Sequence, residues 1–173
     1  MDLIVTAKIG ETRGLARLGE RTFACTLGRS GLVADKREGD GGTPTGRFPF
    51  RRLLYRADRV ARIETRLPAR HIARDDGWCD DPASPDYNKP VRLPHPAHHE
   101  AMWLESPLYD LVVVIGHNDD PVVKGAGSAV FLHLARDDWG PTAGCIAFRQ
   151  GDLLAILAQV GASDAVDIRI AEG

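Results

Sequence analysis

The sequence predicts a mainly-β fold, at most a β-rich α+β domain with few helices. Three observations carry that reading. Segments of β-branched or alternating character recur along the chain, Gly- and Pro-containing turns separate them, and one stretch alone repeats apolar residues at helical spacing. The 173 residues are 43% hydrophobic and 27% charged, which excludes a disordered chain. Such a length is expected to form one domain over residues 1–173 that buries roughly two-thirds of its unfolded surface. The longest purely aliphatic run, Leu111 to Ile115, is 5 residues, against about 20 for a membrane-spanning helix.

The elements follow in order. Residues 2–8 alternate weakly, and residues 14–18 and 22–27 flank a turn at Gly19-Glu20, so a strand and a hairpin are expected. Residues 36–46, Lys-Arg-Glu-Gly-Asp-Gly-Gly-Thr-Pro-Thr-Gly, form a dense turn segment before a strand near 47–55. More than half of the 11 prolines fall within residues 75–107. That stretch reads as an irregular excursion, and one so long is commonly a lid or a substrate wall. Residues 111–115 suit a strand buried on both faces, and 129–134 a second. Leu153, Leu154, Ile156 and Leu157 lie at helical spacing between Asp152 and Gly161, predicting a helix of about ten residues. Residues 165–170 close the chain as a strand.

The net charge of −2 conceals an asymmetry: residues 1–74 carry 16 Lys+Arg against 8 Asp+Glu, and residues 75–173 carry 6 against 16. The arginines from Arg47 to Arg74 lack the interleaved aromatics of a nucleic-acid platform. The two halves can neutralise each other within one fold, so neither a nucleic-acid nor a membrane partner is expected. The pairs Asp75-Asp76, Asp80-Asp81, Asp119-Asp120 and Asp137-Asp138 lack the order of a calcium loop and read as loop, cap and Arg-pairing residues. Cys25, Cys79 and Cys145 are odd in number and widely spaced, which argues against a disulfide framework or a zinc knuckle. Met1-Asp2-Leu3-Ile4-Val5 has neither a basic start nor an apolar core. A cytoplasmic location is the expectation, and a periplasmic one if an export segment precedes this sequence.

Chemistry concentrates near Cys145, in Pro141-Thr142-Ala143-Gly144-Cys145-Ile146. The glycine permits a sharp turn that aims adjacent N–H groups into a cavity as an oxyanion hole, and a helix a few residues later would favour thiolate if the sulfur lay near its start. A small core cysteine is the bland alternative. His133, at the end of the 129–134 strand, is a candidate general base for a cysteine nucleophile. His71, His95, His98 and His99 lack metal-ligand spacing and read as loop residues. His117 follows the 111–115 strand, at a position that can line a site.

Phe131-Leu132-His133-Leu134, a loop, and then Thr142-Ala143-Gly144-Cys145-Ile146 resemble the signature of the L,D-transpeptidase (YkuD-like) catalytic domain. Gly42-Thr43-Pro44-Thr45-Gly46-Arg47-Phe48 is similar to that family's upstream Thr-Pro-x-Gly-x-Phe stretch. Leu134 stands in place of the usual glycine, Ala143 of a second histidine and Ala147 of an arginine, and the His-to-Cys interval is shorter than in many members.

The resemblance implies a β-sandwich. It also implies attack by Cys145 on the peptidoglycan stem tetrapeptide before its terminal D-Ala, with His133 as base and the Leu134 carbonyl orienting the imidazole. The Gly144 and Cys145 N–H groups would hold the oxyanion, with no metal or organic cofactor. Thr142 and His117 are expected beside the substrate, and Arg149 or Lys36 to meet its carboxylate in place of the missing arginine. Water as acceptor makes the enzyme an L,D-carboxypeptidase on soluble muropeptides, the favoured reading; a stem-peptide amine makes it a cross-linking transpeptidase. A muropeptide-binding module or a thiol sensor using Cys145 is the non-enzymatic alternative. Cys25 and Cys79 are expected to be structural.

Overall fold

In the computed structural model, which describes residues 1–171, alternating side chains set the strands. The strands are β1 (Leu3–Ala7), β2 (Arg13–Leu18), β3 (Arg21–Thr26), β4 (Leu32–Val33), β5 (Thr43–Pro44), β6 (Gly46–Tyr55) and β7 (Ala69–His71). They continue with β8 (Asp76–Cys79), β9 (Pro90–Arg92), β10 (His99–Ala101), β11 (Leu111–Ile115), β12 (Phe131–Leu134), β13 (Ile146–Phe148) and β14 (Ala165–Ile170). The one α-helix among the described residues, α1 (Gln150–Leu157), precedes β14, and a 3-10 turn at Pro107–Tyr109 precedes β11.

Nine strands pair in the order β11-β12-β13-β3-β2-β1-β14-β6-β7, and β6 also pairs with β11. Eight of them thus close into a ring, a barrel- or sandwich-like sheet. The length of β6 makes this possible: its first residues pair with β14, and residues 50–55 pair with β11. Leu3, Val5, Ala16, Leu18, Leu53, Leu132 and Ile168 point into the enclosed core. In β2, Leu15 faces outward and is 56% exposed, the alternation expected of a half-buried strand.

β11 is buried on both faces, as its unbroken aliphatic run predicts. Leu111, Val113 and Ile115 enter the ring, while Val112 and Val114 face a second core with Leu54, Trp78, Met102, Phe131 and Cys145. Trp78 and Met102 come from the 75–107 segment, which roofs the outer face of β11 and β12. The segment is not wholly irregular, because β8, β9 and β10 form a three-stranded sheet of their own. Strands of three or four residues, one opening on Pro90, are too short to leave a periodic signal. α1 is 8 residues long and begins before Asp152, burying Leu153, Ile156 and Leu157.

The charge asymmetry resolves into ion pairs between the two halves of the chain: Arg51–Asp119 at 2.8 Å, Arg59–Asp110 at 3.0 Å and Arg70–Asp76 at 2.9 Å. Arg51–Asp119, exposed on both sides, contributes about 0–1 kcal/mol, whereas Asp110 and Asp76 are buried and the arginines keep their charges paired. The larger apolar core lies inside the ring. Leu53→Ala, which hollows the interior where β6 meets β11, should cost about 2 to 5 kcal/mol in chemical denaturation, whereas Leu15→Thr should change stability by less than about 0.5 kcal/mol.

Candidate active site

β12 and β13 run parallel, with His133 level with Ala147. Their connection, residues 135–145, returns the chain so that Cys145 arrives beside the start of β12. Leu132 and Leu134 fill the ring core, so Phe131 and His133 face outward. Cys145 and His133 thus line one wall of a cavity of about 690 Å3. The Cys145 Sγ–H donates to the Ala129 carbonyl at 3.2 Å, and the Phe131 N–H donates to Sγ at 3.4 Å. Ala129 is held at φ +51°, which costs a residue with a Cβ about 1 to 2 kcal/mol. His133 Nδ1–H donates to the Leu134 carbonyl at 2.8 Å, leaving the Nε2 lone pair as the basic site.

The Thr-Pro segment meets the Gly-Cys segment here. The Cys145 carbonyl accepts from Thr142 Oγ1 at 2.7 Å and from Thr43 Oγ1 at 3.3 Å. Gly144 sits at φ +142°, and a Cβ there would come within 2.9 Å of the Gly42 carbonyl oxygen. Conformation and space both demand glycine. Thr142 Oγ1 also accepts from Gly144 N–H at 3.1 Å. Thr142 therefore braces the loop, rather than offering a free hydroxyl, and the Gly144 N–H is already bonded.

Burial pushes the Cys145 thiol up to about 12, with the Glu100 charge adding to the rise and the Phe131 N–H and Lys36 opposing it. Burial brings His133 down to about 4, against the pull of its bond to Leu134. At neutral pH the pair is thiol and imidazole, not thiolate and imidazolium. β13 stands between Cys145 and the start of α1, about 15 Å of extended chain.

Lys36 lines the cavity, largely buried and ion-paired with Asp40; a Cβ on Gly144 would stand 3.5 Å from its Nζ. Arg149 does not reach this cavity; its guanidinium lies 5.1 Å over the Trp139 ring, beside a separate depression that includes Cys25. Of the two cations considered for the missing arginine, the structure brings only Lys36 to Cys145. His117 also lies outside the cavity wall, packed edge-on against Phe48 at 5.2 Å. Among the described residues its Nδ1 has no hydrogen-bond partner, and burial with nearby Lys36 brings the imidazole down to about 4. Strand β11 ends where expected, but the chain turns His117 beneath the site instead of into it. His71, His95, His98 and His99 are dispersed, and among the described residues no group of three His, Cys, Asp or Glu could hold a metal ion.

Sequence reasoning missed several wall residues. Arg29 and Arg136 add positive charge, while Glu38, Asp80 and Glu100 add negative charge. Tyr109 packs its ring on His133, centroids 5.4 Å apart, and donates its hydroxyl to Glu100 at 2.9 Å. Burial raises the Glu100 carboxyl above its ordinary value. Arg136 could have been suspected from its place in the His-to-Cys loop, and Glu38 from the turn segment it shares with Lys36. Asp80 and Glu100 lie in the 75–107 segment and carry no motif.

A nucleophile-type cysteine and a backbone-oriented histidine on the outer face of a closed β-sheet define a cysteine acyl-transfer class of site. The family model for the L,D-transpeptidase catalytic domain (YkuD) matches residues 9–168, and the chain belongs to that family. Among solved structures it is similar to L,D-transpeptidase 1 of Mycobacterium tuberculosis, at 17% identity and a TM-score of 0.41, over 98% of this chain and 62% of that one. This chain therefore matches less than two-thirds of that protein's length. No curated protein matches.

The neutral pair has a direct consequence for pH dependence. Alkylation of Cys145 by iodoacetamide should climb steadily from pH 7 to pH 10, because a thiol at about 12 is still titrating throughout that range. Lys36→Met should slow the reaction several-fold and Arg149→Met should leave it unchanged. A plateau already reached at pH 7, or equal sensitivity to both substitutions, would contradict this electrostatic picture.

Proposed function

We propose that the protein is an L,D-carboxypeptidase of the peptidoglycan type, releasing the terminal D-Ala of a soluble stem tetrapeptide through a thioester on Cys145. The observation that carries this reading is the Cys145 thiol and the His133 imidazole on one cavity wall, with Nδ1 tied to the Leu134 carbonyl.

As Sγ attacks the carbonyl carbon before the terminal D-Ala, Nε2 of His133 takes the thiol proton. The charge pair forms only when substrate fills the cavity and excludes water. The oxyanion is held by the Cys145 N–H, joined by the Gly144 N–H if its bond to Thr142 opens; one such donor lowers the barrier by ~3–4 kcal/mol. The imidazolium returns its proton to the leaving nitrogen and D-Ala departs. Water, deprotonated by His133, then cleaves the thioester to release the tripeptide and restore the thiol. Lys36, with Arg29 and Arg136 nearby, is suited to the terminal carboxylate.

The cavity volume, about 690 Å3, suits one peptide end and so supports hydrolysis. A second reading draws on Glu38, Asp80 and Glu100 in the same cavity. These carboxylates would attract an ammonium, and if that belongs to an acceptor peptide the product is a cross-link. Mass analysis of a tetrapeptide muropeptide incubated with and without an amine acceptor separates the two. D-Ala and tripeptide should appear without acceptor, change little when diamino-acid amines are added, and vanish in Cys145→Ala. Cross-linked dimers as the main product, or no reaction until an amine is supplied, would replace hydrolysis with transpeptidation.

A further inference from the structure

We infer that Asn88 is a positioning residue for Cys145: its side-chain amide locks the Ala129 backbone that holds the sulfur. The inference rests on the reading of Cys145 as the nucleophile and assigns the 75–107 segment a task at the site beyond walling it.

Asn88 is buried, and its amide is fully used. Oδ1 accepts from Trp78 Nε1 and from Ala129 N–H, both at 3.0 Å. Nδ2 donates to the His117 carbonyl at 3.1 Å and the Asn118 carbonyl at 2.7 Å. Two donors and two acceptor positions exhaust what an amide offers. Three of these partners, His117, Asn118 and Ala129, lie at the two ends of the connection between β11 and β12, which leaves near His117 and returns at Ala129. One side chain thus ties that connection shut.

Asn88 and Ala129 both lie in the left-handed region, at φ +55° and +51°. Asparagine tolerates that conformation; alanine must be held there. Ala129 is held by its N–H on Asn88, while its carbonyl accepts a hydrogen bond from the Cys145 Sγ–H and Phe131, two residues on, donates to the same sulfur. If the Asn88 bond is lost, Ala129 can relax towards negative φ. Both groups that fix Sγ then swing with it. A residue that only filled space would not need four hydrogen bonds, three of them to the two ends of the β11–β12 connection.

The test compares kcat, KM, the alkylation rate of Cys145 and melting temperature across a short series. Asn88→Ala should lower kcat and the alkylation rate by about 10- to 100-fold, the scale of a misplaced reacting group, with KM within about 2-fold. Asn88→Asp keeps an acceptor for Ala129 N–H but sets an oxygen against two carbonyls. It should lose melting temperature yet retain the alkylation rate within about 5-fold. Trp78→Phe, which spares the Ala129 bond, should retain the rate likewise. Ala129→Gly added to Asn88→Ala should recover at least about 5-fold, since glycine adopts positive φ without strain.

Rates that fall in proportion to melting temperature across the series would show a merely structural role. So would a folded Asn88→Ala protein alkylated at the wild-type rate, or no recovery with Ala129→Gly. If Asn88→Ala does not fold, the Asn88→Asp and Trp78→Phe pair decides by the same criterion. Should the alkylation series hold while no stem peptide is turned over, the substrate reading fails and the positioning role stands.

Discussion

The pairing of β6 with β11 turns a nine-stranded sheet with two open edges into a ring with one short strand, β7, left outside it. An open sheet of this size would expose two rows of unpaired backbone groups. Closure gives β11 a neighbour on each side, and its aliphatic run then serves two cores at once. The outer core needs a cover, which the 75–107 segment supplies with Trp78 and Met102. The wall that carries Cys145 and His133 lies where ring, cover and the β12–β13 pair meet.

That location explains the chemistry of the site. A thiol and an imidazole buried on the outer face of the ring stay neutral because desolvation outweighs their few favourable contacts. A neutral thiol reacts slowly with passing electrophiles, and in the proposed reaction it gains strength as a nucleophile when a substrate completes the cavity. Geometry therefore carries more of the task than a lowered thiol pKa could. The thiol proton points at the Ala129 carbonyl, Nδ1 at the Leu134 carbonyl, and the Cys145 carbonyl is braced by Thr43 and Thr142. Four backbone or side-chain anchors fix two side chains. The Thr-Pro segment and the Gly-Cys segment, about a hundred positions apart in sequence, act as one support through these bonds.

What could be read from the sequence was what periodicity or a motif encodes locally. The β2–β3 hairpin, the doubly buried β11 and the closing strand at 165–170 followed from alternation, aliphatic runs and turn residues. β8, β9 and β10 did not, because three residues between prolines give no period to read. The Cys145, His133, Gly144 and Thr43 motifs were visible; the fold brings the first three to one cavity and buries Thr43 behind it, against the Cys145 carbonyl. Charge partners depend on which way a loop faces. Lys36 and Arg149 were equal candidates on the page of sequence, and only the packing of Arg149 on Trp139 separates them. His117 likewise ends its strand as expected and then turns beneath the site. The neutral state of thiol and imidazole has the same origin: burial, which dominates both shifts, is a property of the closed sheet and not of the Gly-Cys dipeptide.

The account makes a covalent intermediate on one of three buried cysteines its central claim. Rapid acid quenching of the protein with stem tetrapeptide, followed by intact-mass and peptide-mass analysis, tests that claim most directly. The account predicts a transient adduct of the tripeptide acyl group on the peptide containing Cys145, sensitive to hydroxylamine as a thioester is, with Cys25 and Cys79 unmodified. An adduct on either of those cysteines, or steady release of D-Ala with no adduct at any quench time and no burst of product, would contradict it.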